Sequence, residues 1–525
     1  MPSGYRIEWI APVTMLQNKY TNLVLWLALL FGGMLRFIPG VLTDFPVNDG
    51  GMLLAMIRDL QSNGFVLPSV TSYNSLDIPF AYPPLGLYVA AFVSDKLSIP
   101  ELELLRWLPP LVSTAIILVF YWLAHRILNS KSRAVIATLF YALTPGASDW
   151  LIMGGGLTRS FGILFSLLAI GCVYDLFRGD ESKTTIGLAI LFCALAVLSH
   201  PEVGLQTAGI CFLFWAYYGR NAAGIKNAAL VALGTAFLTA PWWLAVLHYH
   251  GFAPFWSAIH TGIREKTLAS LYHTFFSTQG GLPILPLFGL VGMFAVLRRR
   301  EFLLVFWALL PFLIDPRNAP AIVIFPLLML VSEGLYYLNK ELIRAASETF
   351  PNSGNAGRYL SGLAQASLAI ILVYLLYVSY ASIPNLVAIS LSRSDRETME
   401  WVKENTPPQS RFLLITNTGN ISPMIDSYQE WFPVLAERQS QNTLQGREWL
   451  LGSGFFEYSQ ALVALQGCPD AGCLNNWLEE KNVQVDFVLA QKQHVSHALI
   501  DSLRANEHYD LVYETVGAEI FAFRP

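Results

Sequence analysis

The sequence predicts a polytopic α-helical membrane protein with a C-terminal extracytoplasmic α/β domain, and three observations carry that reading. Of 525 residues, 54% are hydrophobic and only 13% charged, too apolar a composition for a soluble enzyme of this length. Apolar windows recur through the first 390 residues, and a bilayer core about 30 Å thick asks for roughly 20 such residues per helix. At about Ser392 the composition turns polar, and no later window is able to cross a bilayer. The formal net charge of −4 decides little, because in a membrane protein the placement of charge outweighs its sum. No nucleic acid is expected among the partners.

The expected spans are residues 20–38, 107–124, 134–152, 161–177, 204–218, 228–247, 282–297, 319–337 and 361–381, with 184–199 a slightly short addition. Residues 302–314 are shorter still, in the range of about 10–14 where an apolar run often fails to span. Together they give about 11 transmembrane helices. The first follows a polar start and runs into a loop without a small-residue cleavage site, so it reads as an anchor. The membrane domain is expected over residues 1–390, with an outer loop at 41–106 carrying interfacial helices, and the soluble domain over 391–525.

Orientation turns on the run Tyr82–Ser94. Pro83 and Pro84 suit a helix start but shorten the usable length, so the run is read as a helix lying at the interface. With that choice one side collects Arg126, Lys131, Arg133, Arg298, Arg299, Arg300 and Lys340, among others, about twice as many basic residues as the opposite loops. Basic loops stay cytoplasmic. The loop holding Asp44 and Asp49 is therefore outside, and Asp149, Arg159, His200, Glu202, Asp315 and Arg317 fall on the same face. An odd number of spans from a cytoplasmic start also exports the C-terminal domain.

In that domain ETMEWVKEN has helical spacing and ends before Pro407, RFLLIT and VDFVLA read as short buried strands, and HYDLVYETVGAEIFAF reads as a terminal hairpin. Cys468 and Cys473 flank PDAG, a spacing that a turn can close into a disulfide in an oxidising compartment; two unrelated thiols is the alternative. Cys172, Cys193 and Cys211 lie in apolar spans as small core residues.

The chemistry-bearing stretch is DFPVNDGGM at residues 44–52, followed by an amphipathic run ending in GFVLP and by YPPLGLYVAAF from Tyr82. An acid after the first span, an amphipathic helix closing on a Gly-aromatic-x-x-Pro turn, and a Pro-Pro-Leu helix together resemble the first outer loop of the GT-C membrane glycosyltransferases. The pattern is most similar to the protein O-mannosyltransferases and the aminoarabinose transferase of lipid A, through Asp49, Met52, Gly64, Pro68, Tyr82, Pro83, Pro84 and Leu85. Those proteins commonly carry an Asp-Glu pair where this chain has Asp49-Gly50, so the second acid is missing or comes from Asp44. EWFPVLAERQSQNTLQG, residues 430–446, bears a fainter similarity to the aromatic-rich acceptor segment of oligosaccharyltransferase catalytic subunits, without their WWDYG signature.

The resemblance implies a GT-C-like fold and hexosyl or pentosyl transfer from a polyprenyl-phosphate sugar to a glycan, lipid or protein acceptor, by an integral protein of the cytoplasmic membrane acting on its outer side. It points to Asp49, or else Asp44, as the base, and to Arg317 in DPRNAP and Arg159 after GGGLT as ligands of the donor phosphate. A guanidinium suits that role because it binds phosphate through parallel hydrogen bonds. His200, Glu202, Tyr82 and Trp431 are candidate substrate contacts, and the loop from His248 to Gly280, with Arg264, Lys266 and His273, is a candidate lid. A Pro-capped turn explains His200 and Glu202 equally well, and an outer-loop Asp is most often merely solvated. No motif supports a divalent metal, since the histidine spacings fit no i, i+4 pair and no second outer loop carries D-x-D. A divalent metal stays open as an alternative without a motif behind it, and no cofactor is certain. A transporter or flippase of lipid-linked sugars, or a non-catalytic assembly subunit, are the alternatives; the first usually shows internal repeats and ionisable groups at mid-membrane, and neither is evident.

Overall fold

Long apolar runs without a breaker become long helices, and the computed structural model, which describes residues 20–260, 271, 284–349, 356–419 and 421–524, bears this out. Among the described residues six helical stretches are long and apolar enough to cross a membrane: Thr21–Leu42, Glu101–Leu128, Gly156–Phe177, Ala222–His250, Ala319–Thr349 and Tyr359–Asn405, the membrane part of the last lying in the helix Ala356–Ala388. Each covers one of the expected windows to within a residue. The window at 204–218 lies in the 18-residue helix Pro201–Tyr218, and the other remaining windows are shorter. Lys183–Ser199, Ile284–Arg298 and Leu303–Ile314 are apolar helices of 10–17 residues, and the window at 134–152 is cut after Leu143, with a four-residue helix resuming at Asp149. Pro145 and Gly146 lie in the gap, and proline disfavours helical backbone in the residue before it. The expected eleven are thus six spans of full length and a set of shorter apolar helices. This is an integral membrane protein.

Ion pairs mark one end of the bundle. Arg133 and Arg299, which the sequence assigns to the same side, both reach the buried Glu333, Arg299 at 2.6 Å. Pairing of this kind is how a carboxylate persists among apolar helices.

Between the first two long helices the chain forms Gly51–Ser62 and Leu85–Leu97. Most residues of Gly51–Ser62 are buried, because its apolar side chains are covered by Leu85–Leu97 and by the C-terminal domain. Met52, Leu53, Met56, Tyr73 and Leu87 share one core with Met399, Phe412, Leu414, Trp431, Phe432 and Ile520.

The C-terminal domain begins with the helix Arg393–Asn405, which Ser392 and Asp395 cap reciprocally. Five strands follow: β1 (Arg411–Ile415), β2 (Gln439–Ser440), β3 (Phe487–Gln491), β4 (Tyr509–Glu514) and β5 (Ala518–Phe523). Their order is β2-β1-β3-β5-β4. β1 pairs parallel with β2 and β3, whereas β5 pairs antiparallel with β3 and β4. Central strands covered on both faces need continuous apolar runs, which FLLI and FVLA provide. Cys468 and Cys473 are joined by a disulfide, and Asp470 between them caps Ala471–Glu480 by accepting Cys473 N–H at 2.8 Å.

The first part of the candidate lid is helical. Ala222–His250 continues past the expected window, and Ala253–His260 packs on the C-terminal domain, where Ser257 Oγ donates to Glu448 O at 2.8 Å and accepts Gly452 N–H at 2.7 Å. Arg264, Lys266 and His273 lie outside the described residues.

Candidate active site

The first long helix ends at Leu42, and the loop after it turns Asp49 back against the start of Gly156–Phe177. There Asp49 Oδ1 accepts Gly155 N–H at 2.8 Å and Oδ2 accepts Arg159 Nη2–H at 2.7 Å. A helix start offers unpaired N–H groups and a favourable dipole to a carboxylate. The approach depends on glycine: a Cβ on Gly155 would lie 2.3 Å from Asp49 Oδ2. Gly50 is required for a second reason, its φ of +133°, a conformation open to glycine alone at low cost. Arg159 is fixed further by its hydrogen bond to Trp150 O at 3.2 Å and by stacking 5.0 Å above the Trp150 ring.

Tyr82 stands next to this pair. Its hydroxyl shares a hydrogen bond of 3.1 Å with Thr158 Oγ1, and its ring meets His200 and Trp449 edge-on at 6.1 and 6.2 Å. Burial pushes the Tyr82 phenol up to about 12, so it stays protonated. His200 joins the helices Lys183–Ser199 and Pro201–Tyr218 and is held down to about 3, first by burial and then by the positive charges of Arg159 and Arg317. It is therefore a neutral imidazole, and its buried Nδ1 has no hydrogen-bond partner. Glu202, in the next turn, pairs with Arg317. Asp315 instead accepts Arg317 N–H at 3.2 Å and Asn318 Nδ2–H at 2.8 Å, which shapes the DPRN turn.

Contacts link Asp49 to Arg159, Tyr82 to Thr158 and His200, and Glu202 to Arg317, and the charges of Arg159 and Arg317 both act on His200, so that residues from five separate stretches of sequence gather in one region.

Asp44 lies apart from it. It is exposed and bound to Arg396 at 2.6 Å, and that hydrogen bond holds its carboxyl below the usual range. Trp431, expected to face substrate, is fully buried: Nε1–H donates to Asn48 O at 2.7 Å and the ring meets Phe45 edge-on at 4.6 Å. It has no face to offer a ligand, and Tyr428 and Phe432 are buried with it. Trp431 holds the loop that presents Asp49. Trp431→Ala is expected to lower stability by about 3–5 kcal/mol, read as a fall in the melting temperature of the purified protein, with loss of activity following from loss of fold.

Two acids in the site were not singled out from sequence. Glu430 Oε1 accepts Gly50 N–H at 2.9 Å, and burial, then the charge of Asp49, push this carboxyl up to about 8. Burial raises Glu448, beside Trp449, to about 7, and Arg317 and Glu202 both act on it. The available signal was the gap in Asp49-Gly50, which left the second acid either missing or supplied by Asp44. Nothing local marked Glu430 as that acid.

The donor set around Asp49 does not suit a metal. Asp49 already has a cation as its partner, the Arg159 guanidinium, and among the described residues no three His, Cys, Asp or Glu side chains gather.

No protein-family model matches this chain, and no curated protein matches it. Solved structures do. An oligosaccharyltransferase of Archaeoglobus fulgidus, in complex with an inhibitory peptide and a dolichol-phosphate, superposes with a TM-score of 0.55 at 15% identity, over 90% of this chain and 69% of that one. The transferase ArnT of Cupriavidus metallidurans bound to undecaprenyl phosphate gives 0.53 at 14% identity, over 97% and 98%. The mycobacterial arabinofuranosyltransferase AftD gives 0.55 at 14%, over 97% of this chain and 40% of that one. At these identities the similarity speaks to architecture, and the chain has the fold of the GT-C membrane glycosyltransferases.

Proposed function

We propose that this protein is an inverting glycosyltransferase that moves a sugar from a polyprenyl phosphate to an acceptor hydroxyl at the outer face of the membrane. The observation that carries the reading is the cluster itself: a carboxylate fixed at a helix start, two guanidiniums, and a neutral imidazole with an unpaired nitrogen on which both guanidiniums act. Structures of the same fold have been solved with dolichol-phosphate and with undecaprenyl phosphate, which supports a lipid phosphate as donor.

Asp49 takes the acceptor proton as the acceptor oxygen bonds to the anomeric carbon. The bond from that carbon to the phosphate oxygen breaks, and the lipid phosphate leaves with the electron pair. One displacement inverts the centre. Each carboxylate oxygen has two lone pairs, so the bonds from Gly155 and Arg159 orient Asp49 and leave a lone pair free to take the acceptor proton. Arg317, with Arg159, faces the charge growing on the phosphate, where a fixed cation stabilises the transition state more than the ground state. His200 offers its Nδ1 to a donor oxygen. The gathering of basic residues on the opposite loops supports the outer face, as does a disulfide in the C-terminal domain.

The test is transfer of labelled sugar from a panel of purified polyprenyl-phosphate sugars in proteoliposomes. Turnover with at least one donor is expected. Arg317→Gln, made with Glu202→Gln so that no unpaired acid remains, is expected to lower kcat/KM by about 10- to 100-fold, the equivalent of a lost charge-assisted hydrogen bond of about 1.5–3 kcal/mol. Passage of intact lipid-linked sugar across the bilayer, with no transfer from any donor, would make the protein a transporter instead.

A further inference from the structure

Gly50 occupies the position where the proteins this sequence resembles carry their second acid, and the structure puts a carboxyl on the backbone of that same residue. Glu430 comes from the C-terminal domain, 380 residues along the chain, is only 6% exposed, and accepts Gly50 N–H at 2.9 Å. Its main-chain carbonyl accepts the Tyr73 hydroxyl at 2.7 Å, and the next side chain, Trp431, donates to Asn48 O at 2.7 Å. The dipeptide Glu430-Trp431 thereby grips the residues on both sides of Asp49. A Cβ on Gly51 would lie 2.5 Å from Glu430 O, so the two segments are in direct backbone contact.

We infer that Glu430 is the second acid of the site, supplied by the C-terminal domain, and that it serves as a neutral positioning residue that holds the Asp49 turn through Gly50 N–H. The inference rests on the glycosyltransferase reading for its kinetic consequences, though its geometric part does not. The charged and titratable groups that face Glu430 are Asp49, Arg159 and Tyr73. Only one of them is a cation, and Arg159 is already paired with Asp49. A second buried negative charge there would lack its own counterion, which favours the protonated carboxyl. The upward push to about 8 agrees with this. As pH rises through that value, Glu430 gains a charge that repels Asp49 and competes for Arg159, so the Asp49–Arg159 pair is disturbed while the bond from Gly50 N–H persists.

Glu430→Gln and Glu430→Ala in the full chain separate the possibilities. The amide keeps an Oε1 acceptor for Gly50 N–H and cannot ionise, so Glu430→Gln is expected to transfer sugar within about threefold of the native rate at pH 7. Its activity should stay level above pH 8, where the native protein declines. Glu448 is untouched by the substitution, so the difference between the two profiles belongs to Glu430. Glu430→Ala loses the acceptor and is expected to lose about 100-fold in kcat with the donor KM little changed, as for a misplaced catalytic group. Hydrogen exchange of a peptide containing Gly50, measured without substrate, is expected to quicken in Glu430→Ala and to match the native protein in Glu430→Gln. A native kcat in Glu430→Ala, or a Gln variant as impaired as the Ala variant, would overturn the inference. If no donor supports transfer by the native protein, the glycosyltransferase reading falls, and exchange unchanged in Glu430→Ala would then overturn the positioning role separately.

Discussion

Asp49→Asn is expected to lower kcat for sugar transfer by about 10²–10⁴-fold, the usual contribution of a positioned base. The substitution is nearly isosteric and leaves Oδ1 to accept Gly155 N–H, so the loop should keep its course. What disappears is the proton acceptor and the counter-charge of Arg159. Arg159 keeps its hydrogen bond to Trp150 O and is partly exposed, which limits the stability cost to about 1–3 kcal/mol. Transfer assays alongside a thermal melt distinguish the two effects: a large fall in kcat with a modest shift in melting temperature places Asp49 in the chemistry. Turnover that survives the change removes Asp49 as the base.

Gly155→Ala is expected to cost about 100-fold in kcat, a loss typical of a catalytic group displaced by about 1 Å. The added methyl would sit 2.3 Å from Asp49 Oδ2, far inside contact distance, and Gly154 behind it is equally confined, since a Cβ there would meet Asp49 O at 1.9 Å. The carboxylate has to move. Ala at this position is compatible with the local backbone, because Gly155 has φ −65° and ψ −12°, so the helix itself should form normally. A near-native kcat in this variant would mean that the contact with the helix start is incidental to function.

How much of this was legible in the sequence depends on the range of the interaction. Periodicity and hydropathy act locally, so the membrane helices and the strands FLLI and FVLA could be read from neighbouring residues. The same is true of the charge bias that placed Asp49, Arg159, His200, Glu202 and Arg317 together, because it sorts whole loops by side. The exact partners could not be read. Arg317 pairs with Glu202 rather than with the nearer Asp315, a choice made by the packing of two helices a hundred residues apart. Trp431 looked like a binding aromatic because composition does not tell a stacking face from a core side chain; its burial comes from the outer loop that lies on it. Glu430 was the hardest to find, since its role comes from a hydrogen bond across 380 residues.

The central claim is that acids and guanidiniums from separate stretches converge on one lipid-linked sugar. A structure of the protein with a bound polyprenyl-phosphate sugar tests this most directly. The expected result is the phosphate in contact with Arg317 and the anomeric carbon turned toward Asp49, with His200 between them. A lipid phosphate bound at the opposite end of the bundle, beside Arg133 and Arg299, with Asp49 out of reach of the sugar, would contradict it.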